Sequence, residues 1–156
     1  MDERDEVERF QRELQEQILE DLRRTYSPVA IDHWMHPRNF RSLEDPDGYA
    51  RVQGSCGDTM EMFLRVRDGR ILECGFQTDG CGPTIICGSV VTELAAGKTF
   101  VEALATVSTS EILRIVGGLP ESHLHCARLA SETMRRALAD YQYHQQAPWG
   151  KKYRKT

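Results

Sequence analysis

No hydrophobic run in this chain approaches the roughly 18 residues that a membrane-spanning helix needs. The opening residues do not read as a basic or apolar leader. The opening stretch, MDERDEVERF, is acidic, the opposite of a secretory or organelle-targeting segment, so the expectation is a cytoplasmic protein with no membrane partner. There is no excess of positive charge: the formal net charge of −4 offers no electrostatic footprint for nucleic acid. Internal repeats and low-complexity segments are missing, as are a serine triad, a paired-carboxylate arrangement and a glycine-rich phosphate loop. No Cys-x-x-Cys pair occurs, which disfavours thiol–disulfide exchange. Five cysteines, an odd number, in a reducing compartment do not make a disulfide framework, and metal or thiol chemistry takes its place as the reading to test.

What the chain does have is enough length and apolar content for one core: 156 residues, 40% hydrophobic and 28% charged. Residues 2–24 are highly charged, yet Val7, Phe10, Leu14, Ile18 and Leu22 fall at helical spacing, giving an amphipathic helix with a narrow apolar stripe. The plain expectation is that this helix packs on the side of the domain; the other is a partner-binding or dimer helix. Ser27 can cap a second helix with Pro28 in its first turn, ending near Met35 because Pro37 disfavours helix before it. A loop with turn residues at Pro46–Gly48 leads to a short edge strand at Tyr49–Gln53. Met60, Met62, Leu64 and Val66 alternate with Glu61, Phe63 and Arg65 as a strand, Asp68-Gly69 is a hairpin turn, and Leu72, Cys74, Phe76 and Thr78 alternate in the return strand. Ile86, Cys87, Val90, Val91 and Leu94 then mark a helix face that Gly97 can terminate. Capping boxes at Thr99/Glu102 and Ser108/Glu111 start two short helices. A longer helix from about His123 carries Ala127, Ala130, Met134, Leu138 and Tyr141 on one face, and the basic PWGKKYRKT tail reads as frayed. The fold class is α+β: a small antiparallel sheet of about three strands packed against several helices.

Three cysteines lie at breaks between elements. Cys56 precedes the first hairpin strand, Cys81 separates the return strand from a helix, and Cys126 sits in the first turn of the last helix. Helix N-termini stabilise a thiolate at the latter two, and Gly57, Gly80 and Gly82 clear space around the sulfurs. Cys74 and Cys87 fall on apolar faces and read as small core residues. Asp58 follows Cys56 at i+2, which in an extended loop points to the same side, and His125 adjoins Cys126. Cys56, Asp58, Cys81, His125 and Cys126 are therefore candidate ligands of one metal site, a soft set suited to zinc, copper(I) or an iron–sulfur cluster. The alternative is a solvated loop acid at Asp58 and an ordinary helix-start residue at His125. His123 is an additional candidate ligand. Asp140, Tyr141 and Tyr143 read as helix packing and solvated face.

At these residues the chain resembles the iron–sulfur cluster scaffold family of IscU and the N-terminal domain of NifU. The similarity runs over about residues 25 to 143. It is carried by Tyr26, Ser27, Ile31, Asp32, His33, Pro37, Arg38 and Asn39 in TYSPVAIDHWMHPRN, and by CGDTM, GCGPTI and HLHCARLA in that order. The resemblance implies an extension at 1–24, a scaffold domain at 25–145 and a tail at 146–156. It implies cluster cysteines Cys56, Cys81 and Cys126, with Asp58 and His125 as the accessory pair. It implies a scaffold rather than an enzyme: sulfur arrives from a cysteine desulfurase, iron(II) binds, an electron donor such as ferredoxin reduces the sulfur, and a transient [2Fe-2S] cluster passes to apo-proteins. A carboxylate or imidazole in place of a fourth thiolate leaves a cluster more loosely held, and Asp58 is the candidate for that lability. Cys126 is the candidate persulfide acceptor, on the argument that a helix N-terminus favours thiolate.

The chain departs from the family where IscU proteins usually carry Leu-Pro-Pro-Val-Lys, read by an Hsp70-type chaperone. Here the segment is Leu119-Pro120-Glu121-Ser122-His123, and Glu121 reverses the local charge, so chaperone docking stays open. Cys74, Cys87 and the acidic N-terminal helix are further departures; that helix could dock on the desulfurase or on a second copy, making a homodimer. The nearest rival is the SufU type, a zinc-dependent sulfur acceptor, which carries an insertion between the second and third cysteines and usually lacks histidine before the third. This chain has no such insertion and has His125. A zinc-binding adaptor is the rival from another class. Zinc is also expected in purified scaffold, because thiolate sites take it up readily.

Overall fold

A computed structural model describes residues 2–146, and the basic tail beyond Gln146 lies outside the described residues. Three antiparallel strands, β1 (Gly48–Gln53), β2 (Thr59–Arg67) and β3 (Arg70–Thr78), form one sheet in the order β1-β2-β3. The β2–β3 hairpin turns at Asp68 and Gly69, whose φ values of 53° and 75° are both left-handed, as a two-residue turn between twisted strands requires. Two helices cover the inner face: α3 (Gly82–Ala95) over β3 and α6 (Leu124–Gln146) over β1 and β2. Around them lie α2 (Pro28–Met35), α4 (Phe100–Thr106) and α5 (Thr109–Val116). The α+β expectation is met.

The core lies between sheet and helices, where Met60, Met62, Leu64 and Phe76 meet Ile86, Val90, Val91, Met134 and Leu138, all buried. Residue size sets the close approaches. A Cβ at Gly48 would lie 2.6 Å from the Ala137 carbonyl oxygen, so glycine lets α6 settle onto β1, and the Asp140 carboxylate accepts from the Tyr49 backbone N–H at 2.9 Å. The helix starts follow their capping residues. Ser27 accepts from the Ala30 N–H, and Thr99 and Glu102 complete a reciprocal box. Ser108 does only half of its expected box: it accepts from the Glu111 N–H, but the Glu111 carboxylate pairs with Arg114.

The family-like residues between Asp32 and Asn39 are scaffold, not site. His33, 4% exposed, hydrogen-bonds Ser89 at 2.7 Å, and Ser89 also accepts from the Arg38 N–H at 2.9 Å. Arg38 pairs with Asp32 and Glu93. The Asn39 carbonyl accepts from Phe76 N–H, tying this loop to the free edge of β3.

Two expectations need correction. The return strand does not alternate through Leu72. The pairing shifts between Arg65↔Glu73 and Val66↔Ile71, leaving Leu72 as the extra residue of a bulge. Ile71 therefore points inward at 2% exposure and Leu72 outward at 51%. The N-terminal helix α1 (Glu3–Thr25) forms but does not pack on the domain's side. None of its residues is buried, and Val7, Phe10, Leu14 and Ile18 stay exposed. Only its C-terminal end, through Leu19 and Leu22, comes beside Trp34 and Met35 of α2. Its charges solvate it without any help from the core.

Candidate functional site

The site forms where β3 hands over to α3 and where α6 begins. Two hydroxyl bonds and a carboxylate stitch the strand ends together. Thr78 Oγ1 donates to the Thr59 carbonyl at 2.7 Å, Asp79 accepts from the Thr59 N–H at 2.7 Å, and the Gly80 N–H donates to Thr78 Oγ1 at 3.0 Å. Cys81 is the residue just before α3, with its carbonyl accepting from Thr84 N–H at 3.0 Å. Gly80 and Gly82 are needed for space rather than for backbone freedom. A Cβ at Gly80 would lie 2.8 Å from Asp58 Oδ2 and from Thr84, and one at Gly82 would lie 2.3 Å from the Trp34 ring. Trp34, edge-on to Tyr26, thus roofs the start of α3 beside Cys81.

Thr84 is the junction of the site. It is fully buried, and its hydroxyl lies 3.1 Å from Asp58 Oδ2, 3.4 Å from Cys126 Sγ and 3.9 Å from Cys81 Sγ. One hydroxyl hydrogen serves these acceptors in turn. Cys126 is buried in the first turn of α6, and His125 Nε2 lies 3.6 Å from its sulfur. A short 3-10 turn, Glu121–His123, precedes that helix and carries His123 inward. The ligand atoms of Cys81, His123 and Cys126 all lie within 4.8 Å of one another, and no other such group of three occurs among the described residues.

The structure thus brings together Cys81 and Cys126, sets His125 against Cys126, and ties Asp58 to them through Thr84. Cys56 is not in the group. It is exposed at the tip of the β1–β2 connection. The extended-loop argument for Cys56 and Asp58 fails for a local reason. Gly57, at φ 86°, turns the chain so that its N–H reaches the Gly54 carbonyl at 3.0 Å, and Gly54 N–H reaches the Asp58 carbonyl at 2.7 Å. In this tight turn Asp58 reaches the Thr84 hydroxyl, while Cys56 stays exposed but near enough for its charge to act on Cys126.

Electrostatics also revise one expectation. Burial pushes the Cys126 thiol up to about 11, Thr84's hydrogen bond opposes the rise, and the charges of Cys81, Asp58 and Cys56 add to it. The helix N-terminus does not prevail at this sulfur. Burial, followed by the charges of Cys81, Cys126 and Cys87, likewise raises the Tyr26 phenol, placing that ring within range of the sulfurs. Cys74 and Cys87 sit 1% and 0% exposed, and burial alone pushes Cys74 up to about 12. Both behave as core thiols. Thr84, Trp34 and Tyr26 were not singled out as site residues by the sequence. The available signal was a hydroxyl three positions after a helix-start cysteine, hence on the same face.

A family model described as "NifU-like N terminal domain" matches residues 25–148. Two iron–sulfur cluster assembly scaffold proteins of Archaeoglobus fulgidus, IscU 1 and IscU 2, are each 42% identical to this chain over 117 residues, 74% of this chain and 76% of theirs. Among solved structures, the N-terminal part of a NifU-like protein from Brucella abortus superimposes with a TM-score of 0.57 at 19% identity, covering 75% of this chain and 94% of that one. A protein ascribed to the SUF system of Fervidobacterium islandicum gives 0.59 at 21%, covering 72% and 96%. At such identities the two structures speak to the fold alone.

Proposed function

The chain belongs to the NifU-like N-terminal domain family, and from that premise we propose that it is a scaffold on which iron–sulfur clusters are assembled and from which they are passed on. The observation that carries this reading is the convergence of Cys81, Cys126 and His123 within 4.8 Å, with His125 against the Cys126 sulfur and the Asp58 carboxylate held by a buried threonine. Residues 25–145 form the scaffold in this reading, with 1–24 as an extension. The iron and sulfide are cargo, and the protein is a carrier rather than an enzyme. Cys56, Cys81 and Cys126 are the cluster cysteines, with Asp58 and His125 as the accessory pair.

Sulfur enters as a persulfide. A thiolate of this chain attacks the outer sulfur of the persulfide on a cysteine desulfurase, and the desulfurase thiolate leaves. Two electrons from a donor such as ferredoxin then cleave the new S–S bond and release sulfide to iron(II). Cys126 is the assigned acceptor. Its buried thiol must first lose a proton, which a bound metal ion promotes. The exposed Cys56 is its rival, and mass spectrometry after desulfurase turnover, with sulfur found only on Cys56 or Cys81, overturns the assignment. The cluster is a [2Fe-2S] unit destined for apo-proteins, in a cytoplasmic setting. Among the described residues no helix is long and apolar enough to cross a membrane.

The test is anaerobic reconstitution with desulfurase, iron(II) and cysteine, followed by transfer to an apo-ferredoxin. Wild type should develop a visible chromophore and activate the acceptor, and Cys56→Ala should fail. A colourless product holding stoichiometric zinc, with sulfur delivered but no cluster, would favour the SufU-type acceptor instead.

A further inference from the structure

We propose that two copies of this chain pair through α1, with the two helices antiparallel and packed along their apolar stripes. The pairing goes beyond cluster assembly and does not rest on it, because the seam lies outside the cysteine site.

The stripe is continuous and uncovered. Val7, Phe10, Leu14 and Ile18 fall within about 80° of the helix circumference at about 100° per residue. They remain 55%, 64%, 47% and 51% exposed, and no residue of α1 is buried. Helices in proteins draw most of their stability from packing an apolar face, and here the domain covers none of it. Asp2, the N-cap residue, adds no side-chain bond at the helix start.

The charges select a second copy as the covering surface and set its direction. The first turn is acidic, with Glu3, Asp5 and Glu6, and the last turn is basic, with Arg23 and Arg24. Antiparallel pairing sets each acidic start against the basic end of the other helix and opposes the two helix dipoles. Glu6 and Arg24 lie about five full turns apart, on the same edge of the stripe, so each Glu6 meets Arg24 of the second copy. Arg24 is exposed, with a loose 3.9 Å contact to Asp21 of its own helix. Parallel pairing would bring acid against acid and base against base. A uniformly basic partner would suit the first turn and be repelled by the last. A helix with the opposite order of charges is this helix turned round.

The stripe is also its own complement when reversed. Turned end for end about Leu14, Phe10 of one copy meets Ile18 of the other and Leu14 meets Leu14, as a two-fold interface requires. Beside Ile18 a cavity of about 290 Å³ opens between α1 and α2, walled by Trp34 and Met35. Phe10, the most exposed residue of the stripe, is placed to enter it. At 1.5 Å per residue α1 is roughly 35 Å long, so antiparallel helices hold the two scaffold domains at opposite ends of the seam.

The test is sedimentation equilibrium on the full chain, reduced and with a chelator present, so that neither a disulfide nor a shared metal can join two copies. Wild type should show a reversible monomer–dimer equilibrium with a Kd in the micromolar range. Leu14→Asp should weaken it at least about 100-fold, because a two-fold interface counts each substitution twice. Glu6→Arg and Arg24→Glu should each weaken it roughly 10-fold at low salt, and the double variant should recover most of that loss. Far-UV circular dichroism checks that each variant is folded. Monomer at every concentration up to about 1 mM overturns the pairing and leaves the stripe to a different protein. A dimer that survives Leu14→Asp overturns it too, by placing the contact elsewhere. If both single charge variants weaken association and the double variant does not recover it, the antiparallel direction is wrong. The readout is mass alone, so success or failure of cluster reconstitution does not move it.

Discussion

Metal uptake by this chain should be strongly dependent on pH, and the buried Cys126 sulfur is one measurable cause. Burial raises the Cys126 thiol from 9.0 to about 11. At pH 7 it keeps its proton by about four pH units, so forming the thiolate costs about 5.5 kcal/mol at about 1.4 kcal/mol per unit. Nearly half of that comes from the environment, since an unshifted thiol at 9.0 would cost about 3 kcal/mol. A metal ion displaces this proton on binding, so raising the pH strengthens binding as long as the thiol is protonated in the free protein. Between about pH 7 and 9, Cys126 alone should add about one decade of zinc affinity per pH unit. Competition against a chromophoric chelator measures this directly. Cys126→Ser should bind more weakly at every pH and lower the slope by about one. A wild-type slope below about half a decade per unit, or the same slope in Cys126→Ser, would refute the reasoning.

Further predictions concern the fold and the lability of the site. Asp58→Ala should retain a reconstituted cluster longer and transfer it more slowly to apo-ferredoxin; equal or faster transfer counts against the carboxylate's role. Gly82→Ala places a Cβ 2.3 Å from the Trp34 ring and should cost about 1–3 kcal/mol in urea unfolding, an unchanged midpoint being the contrary result. Cys74, raised from 9.0 to about 12, contributes stability that is intact below pH 9 and disappears as pH climbs towards 12, because the unfolded chain ionises first. Each pH unit above 9 should therefore remove about 1.4 kcal/mol, and Cys74→Ala should flatten that decline. Removing residues 1–24 should leave the melting temperature within about 4 °C of wild type, since α1 buries nothing; a larger fall would show hidden packing.

Much of the architecture was legible because local rules and tertiary packing agree. Ser27-Pro28, Thr99/Glu102 and Asp68-Gly69 each mark an element boundary through their own backbone chemistry, and the alternation from Met60 to Val66 set the inner face of β2. Leu72 was misplaced because a bulge depends on the partner strand, which periodicity within one strand cannot report. The stripe of α1 was readable, but its lack of a covering surface was not, since amphipathicity says only that a face is apolar. At the site, element ends placed Cys81 and Cys126 correctly. The separation of Cys56 from Asp58 depended on one left-handed residue, Gly57, and the role of Thr84 depended on two distant acceptors meeting around it. Tertiary convergence of this kind leaves no periodic trace.

The placement of Cys56 has a consequence for how cargo is met. Its thiol rides on a hairpin tip whose neighbour, Gly57, would have nothing within 4 Å of an added Cβ. The turn's own hydrogen bonds hold its backbone, and the open space beside Gly57 leaves the thiol approachable from solvent. In the proposed scaffold, the buried donors and this exposed thiol would then approach an incoming ion from opposite depths of the same surface, one set rigid and the other reachable from solvent.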